Sequence, residues 1–474
     1  MAAVVTKQWE LAKSRALPSR RPGSNYGSIP DRTIACELDD YLDLLSARQQ
    51  NATNIMKLGD RNMPNINAQR LLDDLRKLRT FGGFGAGVVR PALSEADMES
   101  RHWLKDRFAD AGLNASIDGV ANVFGISRNE GPALIIGSHS DTQPQGGWLD
   151  GALGVIYGLE IARACSEDPE TKHLAVDAVS WQDEESNFIG CLGSRSWCGT
   201  LAPDAEAAAV GRDGTTLANA LRAAKLENVP RQRIDEDRYI GYLEAHIEQG
   251  AYLEDAGEQI GVVTAIVGIR GMTITFEGEQ NHAGTTTMAR RRDAAAALFE
   301  VAHRINQEFP KVADERTVWT IGQAKIEPGA SSIVPGFAEM ALQFRDQDEA
   351  KLDAFEGIVN GLITEVNQRG KIKASATSAR TPIRPSKMDK RFQEHIAQSA
   401  EALAPGKWRS MPSAAGHDPM VIHEKLPCAM LFIPSIKGIS HAFGEDSHDA
   451  DIVAGCQVLA DATASILKDA SGGG

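Results

Sequence analysis

The sequence predicts an α/β protein in which a large domain with a mostly parallel central sheet is interrupted by a smaller inserted domain. Three observations carry this. Short apolar runs that end in polar, glycine-bearing loops alternate with helical patterns, as in Ala133–Ile136, Gly154–Ala164 and Leu174–Trp181. From about residue 261 the pattern changes to β-α-β-β-α-β, the ferredoxin-like split arrangement. At 474 residues the chain also exceeds what one ordinary core organises.

Taken in order, residues 1–30 carry Lys7, Lys13, Arg15, Arg20 and Arg21 among Pro, Gly and Ser, without the apolar stretch of a secretory signal. They read as a flexible arm, with a transit peptide as the weaker alternative. Helical spacing recurs in Leu38–Leu45 and Leu71–Leu78. Phe81–Gly87 is a glycine-rich loop that lacks the Gly-Lys-Ser/Thr ending of a phosphate-binding loop. Leu93–Ala111 reads as a helix with Ser94 as its cap and Asp97 in its first turn.

Val120–Ile126, Ala133–Ile136 and Leu174–Trp181 read as strands, Gly154–Ala164 and Asp213–Leu226 as helices. Tyr242–Gly250 as a strand would put Glu244, His246 and Glu248 on one face. The insertion spans 261–378: strand Gly271–Gly278, helix Arg291–Phe309, strands Arg316–Ile326 and Phe337–Arg345, helix Glu349–Gln368 and strand Lys371–Ser378. Helix Met388–Leu403, strand Cys428–Ile433 and helix Asp449–Lys468 then resume the first domain, which is therefore discontinuous over 31–260 and 379–474.

A net charge of -14 argues against a nucleic-acid surface, which needs clustered Lys and Arg. Six cysteines without a CxxC pair fit a reduced, cytoplasmic setting. No segment is expected to span a bilayer.

Chemistry concentrates at strand ends. Five of the 11 histidines, His139, His246, His282, His417 and His441, stand in polar, glycine-bearing contexts. The loop after Ala133–Ile136 delivers His139, Asp141 and Asp150, and on its own reads equally as a polar loop or a metal site. Asp183, Glu184 and Glu185 follow the next strand, where an acidic run is more often a solvated turn, but Trp181, Phe188 and Ile189 flank this one. Mixed His and carboxylate donors without Cys suit zinc, manganese, cobalt or nickel. Two such ions can acidify a shared water, and two adjacent glutamates can supply one ligand and one general base.

Seven segments in order carry a resemblance: Gly137-Ser-His-Ser-Asp141, Leu149-Asp-Gly151, Asp183-Glu-Glu185, His246-Ile-Glu-Gln-Gly250, Asn281-His-Ala-Gly-Thr-Thr286, Ala415-Gly-His-Asp418 and Ile433-Pro-Ser-Ile-Lys-Gly-Ile-Ser-His441. From about residue 40 onward the chain resembles the amidase/carbamoylase branch of the M20 metallopeptidase superfamily, which includes N-carbamoyl-L-amino acid hydrolases, β-ureidopropionases and allantoate amidohydrolases. The resemblance implies a zinc-peptidase-like catalytic domain and two divalent ions held by His139, Asp150, Glu185, His246 and His441, with Asp150 bridging. It implies Glu184 as general base and Asp141 as the group that orients His139 through a hydrogen bond. It further implies a homodimer through the inserted lid domain, with His282 reaching a neighbouring active site to stabilise the tetrahedral oxyanion and His417 near the same oxyanion. Gln249 is then expected at the ureido or amide group, and Arg345 at the substrate carboxylate.

Some positions depart from the family pattern. Ser332 stands where Asn is usual beside the substrate carboxylate, Thr287 replaces Pro, Ala442-Phe443 replaces Asn-Pro, and Gln343 takes an often acidic place. The expected activity is hydrolysis of a carboxylate-bearing ureido compound, with an N-acyl amino acid amidase or dipeptidase as the alternative. Within the opening loop, Gly146, Gly147 and Gly151 are expected to bend the backbone so that Asp150 returns to His139.

Overall fold

The structure is a computed structural model that describes residues 63–379 and 381–472. The basic arm and the helical stretch Leu38–Leu45 lie outside them. In chain order the principal strands are β1 (Asn114–Ile117), β2 (Val123–Ile126), β3 (Ala133–His139), β4 (Ala175–Trp181), β5 (Tyr239–Ile247), β6 (Ile260–Ile266), β7 (Gly268–Glu277), β8 (Val318–Glu327), β9 (Phe337–Asp346), β10 (Lys373–Ser378), β11 (Ser386–Lys387), β12 (Trp408–Ser413) and β13 (Cys428–Ile433). The principal helices are α1 (Ala68–Arg79), α2 (Glu95–Asp110), α3 (Ala152–Glu167), α4 (Ala294–Glu308), α5 (Glu349–Gln368), α6 (Lys390–Leu403) and α7 (Asp449–Gly472).

Nine strands form the large sheet in the order β11-β6-β13-β5-β3-β4-β2-β1, with β12 also pairing β6. It is mixed rather than mostly parallel. Its centre, β13, β5, β3 and β4, is parallel, as is β12 on β6. The pairs β11/β6, β13/β6, β4/β2 and β2/β1 are antiparallel. The cause is connection length: β3 reaches β4 through the helical crossover α3, whereas β1 and β2 are joined by a short turn, which permits only an antiparallel pair.

Both faces of the central strands are covered, so β3, β4 and β13 are buried at every residue and read as continuous apolar runs. Leu134, Ile136, Leu243, Ala245 and Leu431 face a core shared with α1, α3, α6 and α7. The alternate residues Ile135, Val179, Tyr242, Met430 and Phe432 face a second core with Trp197 and Ile422. Helix α7 does meet the length and composition of a bilayer span, contrary to the expectation from sequence. Yet 72% of its apolar window is buried inside the protein, so it serves as a core helix.

The insertion carries a four-stranded antiparallel sheet in the order β8-β9-β7-β10. Alternate residues of β9 are buried, and Ile274, Phe276, Phe344 and Phe355 share a core with Leu298 and Val301 of α4. The sequence assigns residues from 261 to this unit, but β6 pairs with β11, β12 and β13 in the large sheet. Strands β6 and β7 follow one another with a single intervening residue, Val267, so no turn signal marks the change of sheet.

Helix α2 fixes the end of β4. The Ser94 hydroxyl accepts from the Asp97 amide, and the buried Asp97 carboxylate accepts from Arg101 Nε at 2.9 and 3.0 Å. Arg101 in turn donates to the Trp181 carbonyl at 3.1 Å and to Gln182 Oε1 at 2.5 Å. This buried ion pair therefore holds the backbone from which Asp183, Glu184 and Glu185 emerge.

Candidate metal centre

His139 ends β3, and the loop after it returns Asp150 to within 3.7 Å of His139 Nε2. Of the three glycines expected to allow this, only Gly151 has a left-handed backbone (φ 64). A Cβ at Gly151 would stand 2.5 Å from the His139 ring. Gly147 serves differently: a Cβ there would meet the Glu445 carboxylate at 1.9 Å. That carboxylate accepts from the amides of Leu149 (3.2 Å) and Asp150 (3.0 Å) and from the Ser440 hydroxyl (2.9 Å), which ties the Asp150 loop to the His441 loop. Gly151→Ala is accordingly expected to destabilise the fold by about 1–3 kcal/mol, seen as a lower melting temperature, and to weaken metal affinity because His139 must move.

Asp141 is buried and does orient His139, but through its carbonyl, 3.0 Å from Nδ1. Its carboxylate lies 3.9 Å from that nitrogen and instead accepts from the amides of Asp183 (3.0 Å) and Glu185 (3.3 Å). Asp183, with φ 56, caps the next turn by accepting from the amides of Asn187, Phe188 and Ile189 at 2.6, 2.8 and 2.7 Å. The turn made by Asp183 is thus internally satisfied rather than solvated. It leaves Glu184 and Glu185 facing the cavity.

Of the three residues expected on one face of β5 and its extension, His246 alone joins the cluster. Its Nδ1 lies 2.8 Å from the Ile247 carbonyl, which turns Nε2 to Asp150 Oδ1 at 3.0 Å. Glu244 is engaged by Ser138 and Tyr242, and Glu248 accepts from the amides of Tyr252 and Leu253. His441 Nε2 lies 3.2 Å from Asp150 Oδ2 and 3.6 Å from Glu185 Oε1. Gln249 Nε2 donates to Asp150 Oδ2 at 3.2 Å. Ser186, Cys191, Gln249 and His441 all hold positive φ around this cavity (60, 56, 59 and 51), a concentration of strained backbone typical of functional sites.

Two donor groups result, His139–Asp150–His246 and Asp150–Glu185–His441, each with its donor atoms within 4.8 Å of one another. They share Asp150. The chemistry fits divalent cations: the donors mix imidazole nitrogen and carboxylate oxygen, and Glu185 Oε1 is buried without a hydrogen-bond partner. Burial and the neighbouring Glu185, Asp418, Asp141 and Asp150 push the Glu184 carboxyl well above its ordinary range. Burial and Asp150 push Glu185 to about 8. Burial would raise Asp150 too, but hydrogen bonds from His246 and His441 hold it well below the usual carboxylate range. Burial lowers His139, favouring the neutral ring that ligates metal. Crowded carboxylates of this kind call for cationic charge.

Glu184 belongs to neither donor group; its Oε2 lies 3.7 Å from His139 Nε2. It lines a cavity of about 340 Å³ together with Gln143, Glu185, Cys191, Arg195, Arg212, Gln249, His441 and others. His417 stands behind this surface, 2% exposed, with Nε2 3.0 Å from the Ser413 hydroxyl and its ring 4.5 Å from that of His246. The structure does not bring His282, Ser332 or Arg345 among the residues lining this cavity. His282 and Ser332 are exposed on the inserted unit, where short strands Asn281–His282 and Ile333–Val334 pair. Arg345 donates to Gln343 Oε1 (3.0 Å) and to the Ala414 carbonyl (3.2 Å), next to the cavity-lining Ala415 and Gly416. Sequence reasoning missed Glu445, Gln143, Arg195 and Arg212. Only Glu445, four residues after His441, had a local signal.

A family model described as peptidase family M20/M25/M40 matches residues 135–465. The crystal structure of an amidase of the hydantoinase/carbamoylase family from Burkholderia phymatum is 50% identical, covering 86% of this chain and 100% of that one with a TM-score of 0.82. An N-carbamoyl-L-amino acid amidohydrolase of Geobacillus stearothermophilus is 30% identical over 83% of this chain and 97% of its own length. An allantoate amidohydrolase of Escherichia coli is 31% identical over 83% of this chain and 96% of its own. By the match to its family model and by these relatives, the chain belongs to the M20 peptidase family, in the amidase/carbamoylase branch.

Proposed function

We propose that the protein is a dinuclear metal-dependent amidohydrolase that cleaves the carbamoyl C–N bond of a carboxylate-bearing ureido compound, such as an N-carbamoyl amino acid or an allantoate-like acid. The observation that carries this reading is the pair of donor groups sharing Asp150, with Glu184 beside them and bound to neither. His139 and His246 would hold one ion, Glu185 and His441 the other, and Asp150 both. When bound, the ions, zinc, manganese, cobalt or nickel, polarise the scissile carbonyl and acidify the attacking water. Glu184 takes the proton from that water and returns it to the leaving nitrogen, a task suited to a carboxylate that stands beside the donor groups and belongs to neither. Gln249, whose amide is anchored beside Asp150, is placed to hold the ureido group.

The remaining roles belong to the inserted unit, which we read as a ferredoxin-like lid and dimerisation domain. On this reading His282 of a second copy, with His417, stabilises the oxyanion, while Arg345 and Ser332 hold the substrate carboxylate. The five cysteines among the described residues are all free, which agrees with a reduced, cytoplasmic setting. Ammonia release over a panel of N-carbamoyl and N-acyl amino acids tests the proposal. Release from the ureido compounds is expected; turnover confined to the N-acyl compounds would replace it with the N-acyl amidase or dipeptidase alternative.

A further inference from the structure

The cavity has a cationic wall that the proposed chemistry does not use. Arg195 and Arg212 both line it, both are exposed, and neither has a carboxylate within ion-pair distance among the described residues. Each is positioned by neutral acceptors. Arg195 Nε donates to the Gly190 carbonyl at 2.9 Å, leaving its terminal nitrogens without a hydrogen bond among the described residues. Arg212 donates to Gln143 Oε1 at 2.8 Å and to the Glu185 carbonyl at 3.2 Å. Gln143 in turn donates to Glu185 Oε2 at 2.7 Å, so the Arg212 guanidinium is tethered one residue away from a candidate ligand.

Two positively charged groups in a protein of net charge -14, fixed at the rim of a cavity and left uncompensated, are suited to an anion that arrives from solution. Planar guanidinium forks match a carboxylate. The geometry points to a specificity subsite in which Arg195 and Arg212 bind a second carboxylate, so that the preferred substrate is a ureido dicarboxylic acid such as an N-carbamoylated acidic amino acid. This rests on the amidohydrolase reading above and names its substrate class. The carboxylate assigned to Arg345 and this second one would flank the ureido group from opposite units.

The test compares N-carbamoyl-L-glutamate with N-carbamoyl-L-glutamine, which match in size and differ in one charge. In the metal-loaded wild-type protein kcat/KM should favour the glutamate compound by about tenfold or more. In Arg195→Gln and Arg212→Gln that ratio should fall toward one, and added salt should shrink it in the wild type. The ratio is the readout because a general loss of activity does not move it. A wild-type ratio of one or below, or a ratio that both variants leave intact, overturns the subsite. Calorimetric binding of the same two compounds to Glu184→Gln protein separates the two readings: if no compound of the N-carbamoyl panel releases ammonia from the wild-type protein, the amidohydrolase reading fails. The binding preference, and its loss on replacing either arginine, then still decides the subsite.

Discussion

Glu184→Gln is expected to give a folded, metal-loaded protein whose turnover falls by about a thousandfold. The side chain lies outside both donor groups, so its amide should cost no metal. Its shape is kept, and the change removes one of several crowded acids from a buried site. Burial and four neighbouring carboxylates already penalise its charged form. The metal-free variant should therefore melt no lower than the wild type. What disappears is the proton carrier, 3.7 Å from His139 Nε2 and open to the cavity. Steady-state rates with metal content measured on the same samples check this; a variant that keeps full activity with full metal would remove Glu184 from the role.

Asp150→Asn should have the second large effect, and of a different kind. Asp150 is the one residue common to both donor groups, and its two oxygens face His246 at 3.0 Å and His441 at 3.2 Å. An asparagine offers one neutral oxygen and turns a donor toward one of those rings. Both sites should weaken together, with activity lost through loss of metal rather than loss of base. The melting temperature reports it: binding at a thousandfold excess over Kd stabilises the native state by about 4 kcal/mol, and this metal-dependent gain should vanish in the variant. Loss of one ion with the other retained would show that Asp150 does not bridge.

How far the site was legible from sequence depends on whether each signal was local. His139, Asp150, Glu185 and His246 follow or occupy apolar runs that become central strands, and such strand ends converge because a sheet buried on both faces leaves its polar residues only at the edge of the core. The same locality explains the errors. Pairing direction in the outer sheet is a property of pairs of strands, so a mostly parallel sheet was expected where the edges are antiparallel. Strands β1 and β12 escaped notice because Asn-Ala-Ser-Ile and Trp-Arg-Ser-Met-Pro-Ser lack an apolar run.

Asp141 shows the limit at atomic scale. Its position two residues after His139 announces a hydrogen bond to that ring, yet the backbone path decides that the carbonyl makes it and leaves the carboxylate to hold the Asp183–Glu185 turn. Glu445 and Arg212 are partners of residues far away in sequence, and nothing adjacent to Arg212 reveals it. The Gly147 position makes sense only once Glu445 is seen to occupy the space its side chain would fill.

The proposed centre holds two cations that share Asp150 beside a free Glu184. Its most direct test is ammonia release from N-carbamoyl-L-glutamate while a divalent metal is titrated into chelator-stripped protein. Activity should be absent at the start and rise to its maximum at two bound equivalents per chain. A maximum at one equivalent, or ammonia release that stripping the metal leaves unchanged, would contradict it.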